Sequence, residues 1–368
     1  MEVVYDDESL EAYMQIALEV SPDHPVLIDR FLDNATEVDV DAVCDGQHVI
    51  VPGIMEHIEE AGVHSGDSAC AIPPYNLPGP VVQEIRDATQ AMAEALGVIG
   101  LMNVQFAVKE EDGRPIVYVI EVNPRASRTV PFVSKATGMP AAKVAAKVMV
   151  GVSLAEQGYH GDPIPSHVSV KESVFPFVKF TGVDIVLGPE MRSTGEVMGV
   201  SERFSIAFAK SQLAAGVLLP TEGNIFVSVA PGGKERIVKL AKRLDALGYQ
   251  LLATHGTASA LEAEGIAVRH VKKLKEGHPN LIDFLADGDV SLIMNTPIGK
   301  GARTDEGRIR AACVAHGVPC LTTLEAAEAA VQAMEALREE EMTVQALQDR
   351  FPIIQSGGSA PKLRTTTG

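Results

Sequence analysis

Hydrophobic and polar positions change their spacing along the chain, and the change predicts two different architectures in succession. Up to about residue 220, strictly alternating segments and helical segments mix without a fixed order, which is typical of an antiparallel sheet with helices. From residue 225 onward, short apolar runs alternate regularly with helical periods. That second pattern favours a parallel, doubly wound sheet. We therefore predict an α/β protein with an antiparallel part followed by a parallel part.

In the first part, the strongest signals are two hairpins. Period-two alternation surrounds Asp45-Gly46 over residues 37–51, and a second pair of β-rich runs, 103–108 and 116–122, flanks Gly113. The strand Val26-Leu27-Ile28-Asp29 precedes both hairpins. Helices are predicted at residues 7–20, 54–61, 78–96 and 141–150.

In the second part, strands and helices follow one another in pairs. Strands are predicted at residues 225–229, 250–253, 268–271, 290–294 and 319–321, and helices at 235–247, 258–264, 279–286, 305–316 and 324–336. Shifts in composition divide the chain into segments 1–157, 158–220, 221–342 and 343–368. The last segment is predicted to be a helix followed by a Ser/Gly-rich disordered tail.

Charge excludes several classes of function. Forty-nine acidic and 31 basic side chains give a net charge of −18, so most of the surface repels phosphate backbones and anionic lipid. We expect no nucleic-acid partner and no membrane partner, since no apolar run approaches a membrane span and the N-terminus lacks the basic region of a signal peptide. Four cysteines without C-x-x-C spacing favour a reducing, cytoplasmic location.

One face of the second hairpin is polar. If its loop closes symmetrically about Gly113, Gln105 lies opposite Glu121, and Asn123 projects from the same face as Glu121. Carboxylate and carboxamide oxygens suit Mg²⁺ carried on nucleotide phosphates. Arg125, two residues further along, would neutralise charge on a transferring phosphoryl group. An ordinary solvent-facing hairpin is the alternative.

Polar residues also follow successive strands of the parallel part. They are Lys234, Thr254, Thr257, Lys273, Asn295 and Thr296. Ligands of open parallel sheets bind beyond the carboxyl ends of the strands, so these residues predict a phosphate pocket. The alternative is that they only connect strands and cap helices.

Two long strings add a resemblance. They are EHIEEAGVHSGDS at residues 56–68 and IEVNPRASRTVPFVSKATG at residues 120–138. Together with LMNVQFAVK (101–109) and GPEMRSTGEVMG (188–199), they closely resemble the second ATP-grasp half of the carbamoyl phosphate synthetase large subunit. The βα part resembles the methylglyoxal synthase (MGS)-like regulatory domain that ends that subunit, so the resemblance covers nearly the whole chain. Segments 1–157 and 158–220 would then be a C-terminal ATP-grasp subdomain and its connecting segment, and 221–342 the allosteric domain.

The resemblance implies an ATP-dependent ligase that phosphorylates carbamate with MgATP, in pyrimidine and arginine biosynthesis. It implies that Gln105, Glu121 and Asn123 bind Mg²⁺ or Mn²⁺, with Gln105 and Glu121 also at the nucleotide, and that Arg125 and His57 assist catalysis. Glu37 would bind the ribose, and Arg30 and Leu32 would form the adenine edge. Gly62, Val63, His64 and Ser65 would line the nucleotide.

For the parallel part, the resemblance implies a nucleoside monophosphate effector such as UMP or IMP, bound by Lys234, Thr254, Thr257, Lys273 and Asn295. Pro297 stands where some relatives carry a hydroxyl residue, which leaves the identity of the effector open. Lyase activity is not expected, because an amide at Asn295 cannot remove a proton from carbon. An ornithine site of some relatives is matched by Glu59, Asp67, Glu172 and Thr322, whereas Phe175 and Cys320 depart from it.

One departure concerns the partners. In the family that the chain resembles, the glycine-rich lid of the ATP site aligns upstream of Met1. We therefore expect the chain to need an N-terminal section of the large subunit as a partner, and a glutaminase small subunit as a second one. An oligomer is compatible with this expectation. A non-catalytic module that only binds a mononucleotide is the alternative.

Overall fold

The computed structural model describes Val4 and residues 6–20, 23–59, 61–179, 185–296 and 305–351. The helices of this part are α1 Asp7–Val20, α2 Gly79–Ala95, α3 Val130–Thr137, α4 Ala141–Met149, α5 Phe204–Ala214, α6 Lys234–Ala246, α7 His255–Glu262, α8 Leu281–Ala286, α9 Asp305–His316, α10 Leu324–Glu339 and α11 Leu347–Arg350. The strands are β1 Thr36–Asp45, β2 Val49–His57, β3 Cys70–Ile72, β4 Ile99–Glu111, β5 Arg114–Asn123, β6 Val168–Val174, β7 Gly195–Ser201, β8 Asn224–Ser228, β9 Gln250–Ala253, β10 Val268–His270, β11 Leu292–Asn295 and β12 Cys320–Leu321.

The first sheet has seven strands in the order β5-β4-β1-β2-β3-β6-β7, and its neighbouring strands pair antiparallel. Apolar and acidic residues alternate along β1, so the strand has one apolar face and one acidic face. Val38 and Val40 are buried in an apolar cluster with Ile85 of α2, while the intervening acidic residues project to the other face. On that other side, α3 and α4 pack against the sheet.

The second sheet has five parallel strands in the order β10-β9-β8-β11-β12. Helices α6, α7 and α10 share an apolar cluster with one face, and α8 and α9 share another cluster with the opposite face. Helix α10 also packs on α5, which joins the two parts. The predicted fold class, an antiparallel part followed by a doubly wound parallel part, is confirmed.

Two of the predicted elements are wrong. Residues 54–57 continue strand β2 instead of starting a helix, because the strand is buried on both faces and its apolar run mimics a helical period. At Gly53, a Cβ atom would lie 2.8 Å from Val133, so α3 packs directly on the strand backbone. Residues 26–29 are irregular, and Leu27 and Ile28 are exposed.

Five elements escaped prediction, namely β3, α3, β6, β7 and α5. Strands β6 and β7 lie within segment 158–220 and extend the first sheet. The domain boundaries themselves stay predictions, and Pro297 and the predicted tail from residue 356 fall outside the described residues. Within the described part, no helix combines the length and apolarity that crossing a membrane requires.

Candidate functional site

Three carboxylates on one face of β1 organise the predicted nucleotide site. Glu37, Asp39 and Asp41 occupy alternate positions, so they project to the same side. Each one bonds to a different segment: Glu37 to Gly62, Asp39 to His57 and Asp41 to Ser127. The predicted site does not include Asp39 and Asp41, although the alternating acidic positions of β1 are the sequence signal that marks them.

His57 is clamped between two of these carboxylates. Its Nε2 atom lies 2.9 Å from Oδ2 of Asp39, and its Nδ1 atom lies 3.5 Å from Oε2 of Glu37. Burial alone would lower the pKa of His57, yet the hydrogen bonds to Asp39 and Glu37 outweigh it and raise the pKa to about 9. His57 is therefore an imidazolium at neutral pH.

The predicted nucleotide loop is held from several sides. The Gly62 N–H donates to Oε1 of Glu37 at 2.8 Å, and the positive φ of +94° at Gly62 suits glycine. The His64 N–H donates to the Gly188 carbonyl at 2.8 Å, while Nδ1 of His64 accepts from the Gly66 N–H at 2.9 Å. Val63 lies between these two anchors and is partly buried. The loop is thus a fixed structure with ordered backbone groups.

The hairpin of β4 and β5 places Gln105 opposite Glu121, as predicted. The geometry differs from the symmetric closure that led to the prediction. The turn consists of two residues, Asp112 and Gly113, and the register shifts between Gln105 and Phe106, so that Glu121 instead of Ile120 comes to face Gln105.

The three predicted metal ligands share this hairpin. Asn123 donates from Nδ2 to Oε1 of Glu121 at 2.7 Å, and Gln105 donates from Nε2 to the Ser65 hydroxyl at 3.5 Å. No group of three or more His, Cys, Asp and Glu side chains that could hold a metal occurs among the described residues. One carboxylate with two carboxamide oxygens fits a divalent ion that also takes oxygens from a nucleotide.

A shallow cavity brings part of the predicted set together. Its lining consists of Glu37, Val38, Asp39, His57, Gln105, Phe106 and Ile120. Arg125 lies outside this lining, and its exposed guanidinium donates to the Ala126 carbonyl at 3.1 Å. Arg30 is also exposed, with Nη2 at 3.7 Å from Oε1 of Glu111, and Leu32 lies in the same irregular segment. The cavity therefore brings Glu37, His57 and Gln105 together, whereas Glu121, Asn123, Arg30 and Arg125 are not part of its lining.

The predicted effector residues lie at the carboxyl edge of the parallel sheet. Lys234 begins α6, and its Nζ atom lies 3.9 Å from the position that a Cβ atom would take on Gly256, in the first turn of α7. Thr254 precedes that helix, and Thr257 accepts from the Val229 N–H at 3.5 Å. Lysine beside a helix N-terminus is an arrangement that binds phosphate.

Asn295 completes this edge at the end of β11, which neighbours β8 where the strand order reverses. Asn295 is 2% exposed, and its Nδ2 atom has no hydrogen-bond partner in the part of the chain that the structure describes. A buried amide without a partner is costly, so a ligand acceptor would satisfy it. Lys273 is exposed at the end of the edge strand β10, and Thr296 accepts from the Ala230 N–H at 3.0 Å.

Of the residues that match an ornithine site, two lie close together. Burial and the neighbouring Glu59 carboxylate raise the pKa of Glu172 to about 8, and Gln212 donates a short hydrogen bond to Glu172. Glu59 accepts from the Thr323 hydroxyl at 3.4 Å, next to Thr322. Asp67 has a different task, since its two oxygens accept from the backbone N–H groups of Arg192 and Ser193. Ornithine binding stays a prediction.

Comparison with known proteins identifies two domain types. Residues 1–157 match the family described as "Carbamoyl-phosphate synthase L chain, ATP binding domain", and residues 236–322 match the "MGS-like domain". A solved biotin carboxylase domain of a single-chain bacterial carboxylase has a TM-score of 0.42 and 16% identity, covering 58% of this chain and 57% of that chain.

Two curated relatives are far more similar. The carbamoyl phosphate synthase large chain of Rhodopirellula baltica is 65% identical over 95% of this chain and 32% of its own length. That of Methanothermobacter thermautotrophicus is 52% identical over 95% of this chain and 33% of its own length. The chain thus spans about a third of the length of these relatives. The resemblance is confirmed: the chain is similar, over nearly its whole length, to the C-terminal section of carbamoyl phosphate synthase large chains, with an ATP-binding domain followed by an MGS-like domain.

Proposed function

We propose that the chain is the section of a glutamine-dependent carbamoyl phosphate synthase that transfers a phosphoryl group from MgATP to carbamate. The observation that carries this proposal is the pairing of Gln105 with Glu121 beside the Glu37–His57 pair. Gln105, Glu37 and the buried His57 imidazolium border one cavity, and Glu121 faces Gln105 across the hairpin, which suits a bound metal–nucleotide complex. The similarity to carbamoyl phosphate synthase large chains supports carbamate as the acceptor.

In this proposal, each residue has a defined task. Gln105, Glu121 and Asn123 hold Mg²⁺ or Mn²⁺, which neutralises charge on the phosphates when it is bound. Backbone groups of the loop from Gly62 to Ser65 line the nucleotide, with Arg30 and Leu32 at the adenine and Glu37 at the ribose. His57 contributes an imidazolium held between Glu37 and Asp39, and the exposed guanidinium of Arg125 neutralises charge on the transferring group.

The ligand of the parallel part is a nucleoside monophosphate such as UMP or IMP. Its phosphate would lie between Lys234 and the first turn of α7, with Thr254 and Thr257, and Asn295 would donate its unsatisfied amide N–H to the ligand. Lys273 would reach the ligand from the edge strand. The partners in this proposal are an N-terminal section of the large subunit and a glutaminase small subunit, in the cytoplasm.

Calorimetric titrations test both sites on the chain as it stands. We expect UMP to bind and MgATP to bind weakly until an N-terminal section of the large subunit is added. MgATP-dependent formation of carbamoyl phosphate from carbamate should then appear in the mixture. UMP binding without any turnover in the reconstituted mixture would instead favour the module that only binds a mononucleotide. Absence of UMP binding, with IMP also inactive, would remove the proposed effector site.

A further inference from the structure

Asp41 is a buried carboxylate on β1 that accepts three hydrogen bonds. Its Oδ1 atom accepts from the Ser127 hydroxyl at 2.7 Å and from Nδ2 of Asn103 at 3.0 Å, and its Oδ2 atom accepts from the Thr129 hydroxyl at 2.8 Å. The hydroxyl oxygens of Ser127 and Thr129 are themselves 2.7 Å apart. Asp41 is 1% exposed, so these bonds are shielded from water.

These contacts tie together three separate parts of the chain. Asn103 belongs to β4, which pairs with β1, whereas Ser127 and Thr129 belong to the segment between β5 and α3. Thr129 is also the residue that immediately precedes α3, and its carbonyl accepts from the Val133 N–H at 2.9 Å. The segment of residues 125–129 is therefore fixed at its C-terminal end by Asp41.

That segment begins with Arg125, whose backbone N–H donates to the Asn123 carbonyl at 2.8 Å. Arg125 is thus held at one side by the end of β5 and, two residues later, by the bond from Ser127 to Asp41. Its side chain is exposed and bonds only to a local carbonyl, Ala126, among the described residues. The place from which the guanidinium extends is therefore set by these anchors of the segment and not by packing of the Arg125 side chain.

We propose that Asp41 is a positioning residue for the phosphoryl-transfer step, acting on Arg125 through Ser127 and Thr129. This inference rests on the proposed function, because it assumes that Arg125 contacts the transferring group. Asp41 itself is too deeply buried to touch a nucleotide. Its two neighbours at alternate positions of β1 have parallel tasks, since Glu37 holds the nucleotide loop and Asp39 holds His57.

Two substitutions of Asp41 differ in the hydrogen bonds that they preserve. An asparagine at position 41 retains one carbonyl oxygen for Ser127 and Asn103, and its amide N–H can donate to the Thr129 hydroxyl, which in turn can donate to Ser127. The ring of contacts then stays closed without the charge. Alanine removes the acceptor that ties both hydroxyls to β1, and it leaves Asn103 with only its longer bonds to Asp39 and the Val40 carbonyl. The two variants separate positioning from charge.

The experiment measures synthesis of ATP from MgADP and carbamoyl phosphate by the chain supplemented with an N-terminal section of the large subunit. The phosphoryl group moves from carbamoyl phosphate to ADP, and carbamate is the leaving group. We expect Asp41→Ala to lower kcat by about 10²-fold with KM for MgADP within about twofold of wild type, since misplacement of a catalytic group costs rate. Asp41→Asn should retain kcat within about threefold, because the ring of bonds persists.

Thr89→Ala is the control for Ser127→Ala, because both remove a side-chain hydroxyl; that of Thr89 is buried and bonds within α2 to the Ile85 carbonyl at 2.8 Å. It should leave kcat unchanged. Ser127→Ala provides a milder variant in case Asp41→Ala does not fold, and it should lower kcat in the same direction. Hydrogen exchange of the Val133 amide, which donates to the Thr129 carbonyl, should speed up in Asp41→Ala and Ser127→Ala and stay slow in Asp41→Asn and Thr89→Ala.

The possible results distinguish failure of the proposed function from failure of the positioning role of Asp41. A wild-type mixture without ATP synthesis overturns the proposed function, whatever the variants do. A wild-type mixture that is active, with Asp41→Ala or Ser127→Ala at wild-type kcat, overturns the positioning role alone. Equal losses of kcat in Asp41→Ala and Asp41→Asn also overturn it, because they would show that the charge, and not the placement of the loop, matters.

Discussion

The Nε2 atom of His57 lies 2.9 Å from Oδ2 of Asp39, and both side chains are almost completely buried. A second carboxylate, that of Glu37, lies 3.5 Å from the other ring nitrogen. Burial of an ion pair is favourable only when partners compensate for lost hydration. Two carboxylates around one imidazole provide that compensation and keep a positive charge inside the candidate nucleotide site.

The raised pKa of His57 predicts how stability changes with pH. Its pKa of about 9 in the folded chain exceeds the ordinary 6.5, so its stabilising contribution is fully present below pH 6.5 and is lost as pH rises through 9. The contribution is about 3 kcal/mol in the free energy of unfolding. Urea unfolding of wild type and His57→Gln should therefore show a difference that is large at pH 6 and shrinks by pH 10.

His48→Gln is the control for this measurement. The His48 side chain is 67% exposed, so its removal should change the free energy of unfolding little at either pH. A difference between wild type and His57→Gln that stays constant from pH 6 to pH 10 would show that His57 is neutral when folded, against the imidazolium assignment.

Glu121 provides the one carboxylate of the predicted metal set. Replacement by alanine removes an anionic oxygen ligand opposite Gln105, so we expect turnover in the reconstituted mixture to fall by about 10²-fold or more. Binding of Mn²⁺-ADP, followed by electron paramagnetic resonance of the metal, should weaken in parallel. Glu110→Ala changes an exposed carboxylate further along β4 and should leave both readouts unchanged. Full activity of Glu121→Ala would mean that the metal lies elsewhere.

Lys234 is expected to carry much of the affinity for the phosphate of the effector. Its Nζ atom lies near the first turn of α7, so Lys234→Ala removes a charge-assisted bond at a helix N-terminus. The dissociation constant of UMP, measured by calorimetry, should rise by about 10-fold or more, since such bonds contribute about 1.5–3 kcal/mol. Lys239→Ala on the same helix, where Lys239 pairs with Glu235, should bind UMP normally. Equal weakening by both variants would indicate a general charge effect and no phosphate contact.

Local patterns predicted those features that depend on neighbours in sequence. The second hairpin follows from the β-rich runs around Gly113, whereas the predicted pairing of Gln105 with Glu121 assumed symmetric closure about Gly113 and arises instead from the bulge next to Gln105. Helix 305–316 was predicted with its observed bounds. The number of possible orders of the parallel strands is also small, because consecutive strands usually lie side by side and their helical crossover connections are right-handed.

Features that depend on distant partners could not be predicted in this way. Strand β2 is buried on both faces, so its apolar run carries no period-two signal and imitates a helix at residues 54–57. The bonds from Asp41 to Asn103 and to Thr129 join residues 62 and 88 positions apart, and they require knowledge that β1 pairs with β4. The acidic alternation in β1 indicated a polar face but not which segments it holds.

Strand β7 requires glycine at position 199. A Cβ atom there would lie 1.9 Å from the Ala207 carbonyl oxygen and 2.5 Å from the Ser211 nitrogen, and both are backbone atoms of α5. Gly199→Ala must therefore push α5 away from the sheet and disturb its packing on α10, at a cost of about 3 kcal/mol or more in the free energy of unfolding. Gly195 lies in the same strand with open space around it, so Gly195→Ala should stay within about 0.5 kcal/mol of wild type. Urea unfolding of the two variants decides the matter, and similar midpoints for both would show that α5 does not rest on the β7 backbone.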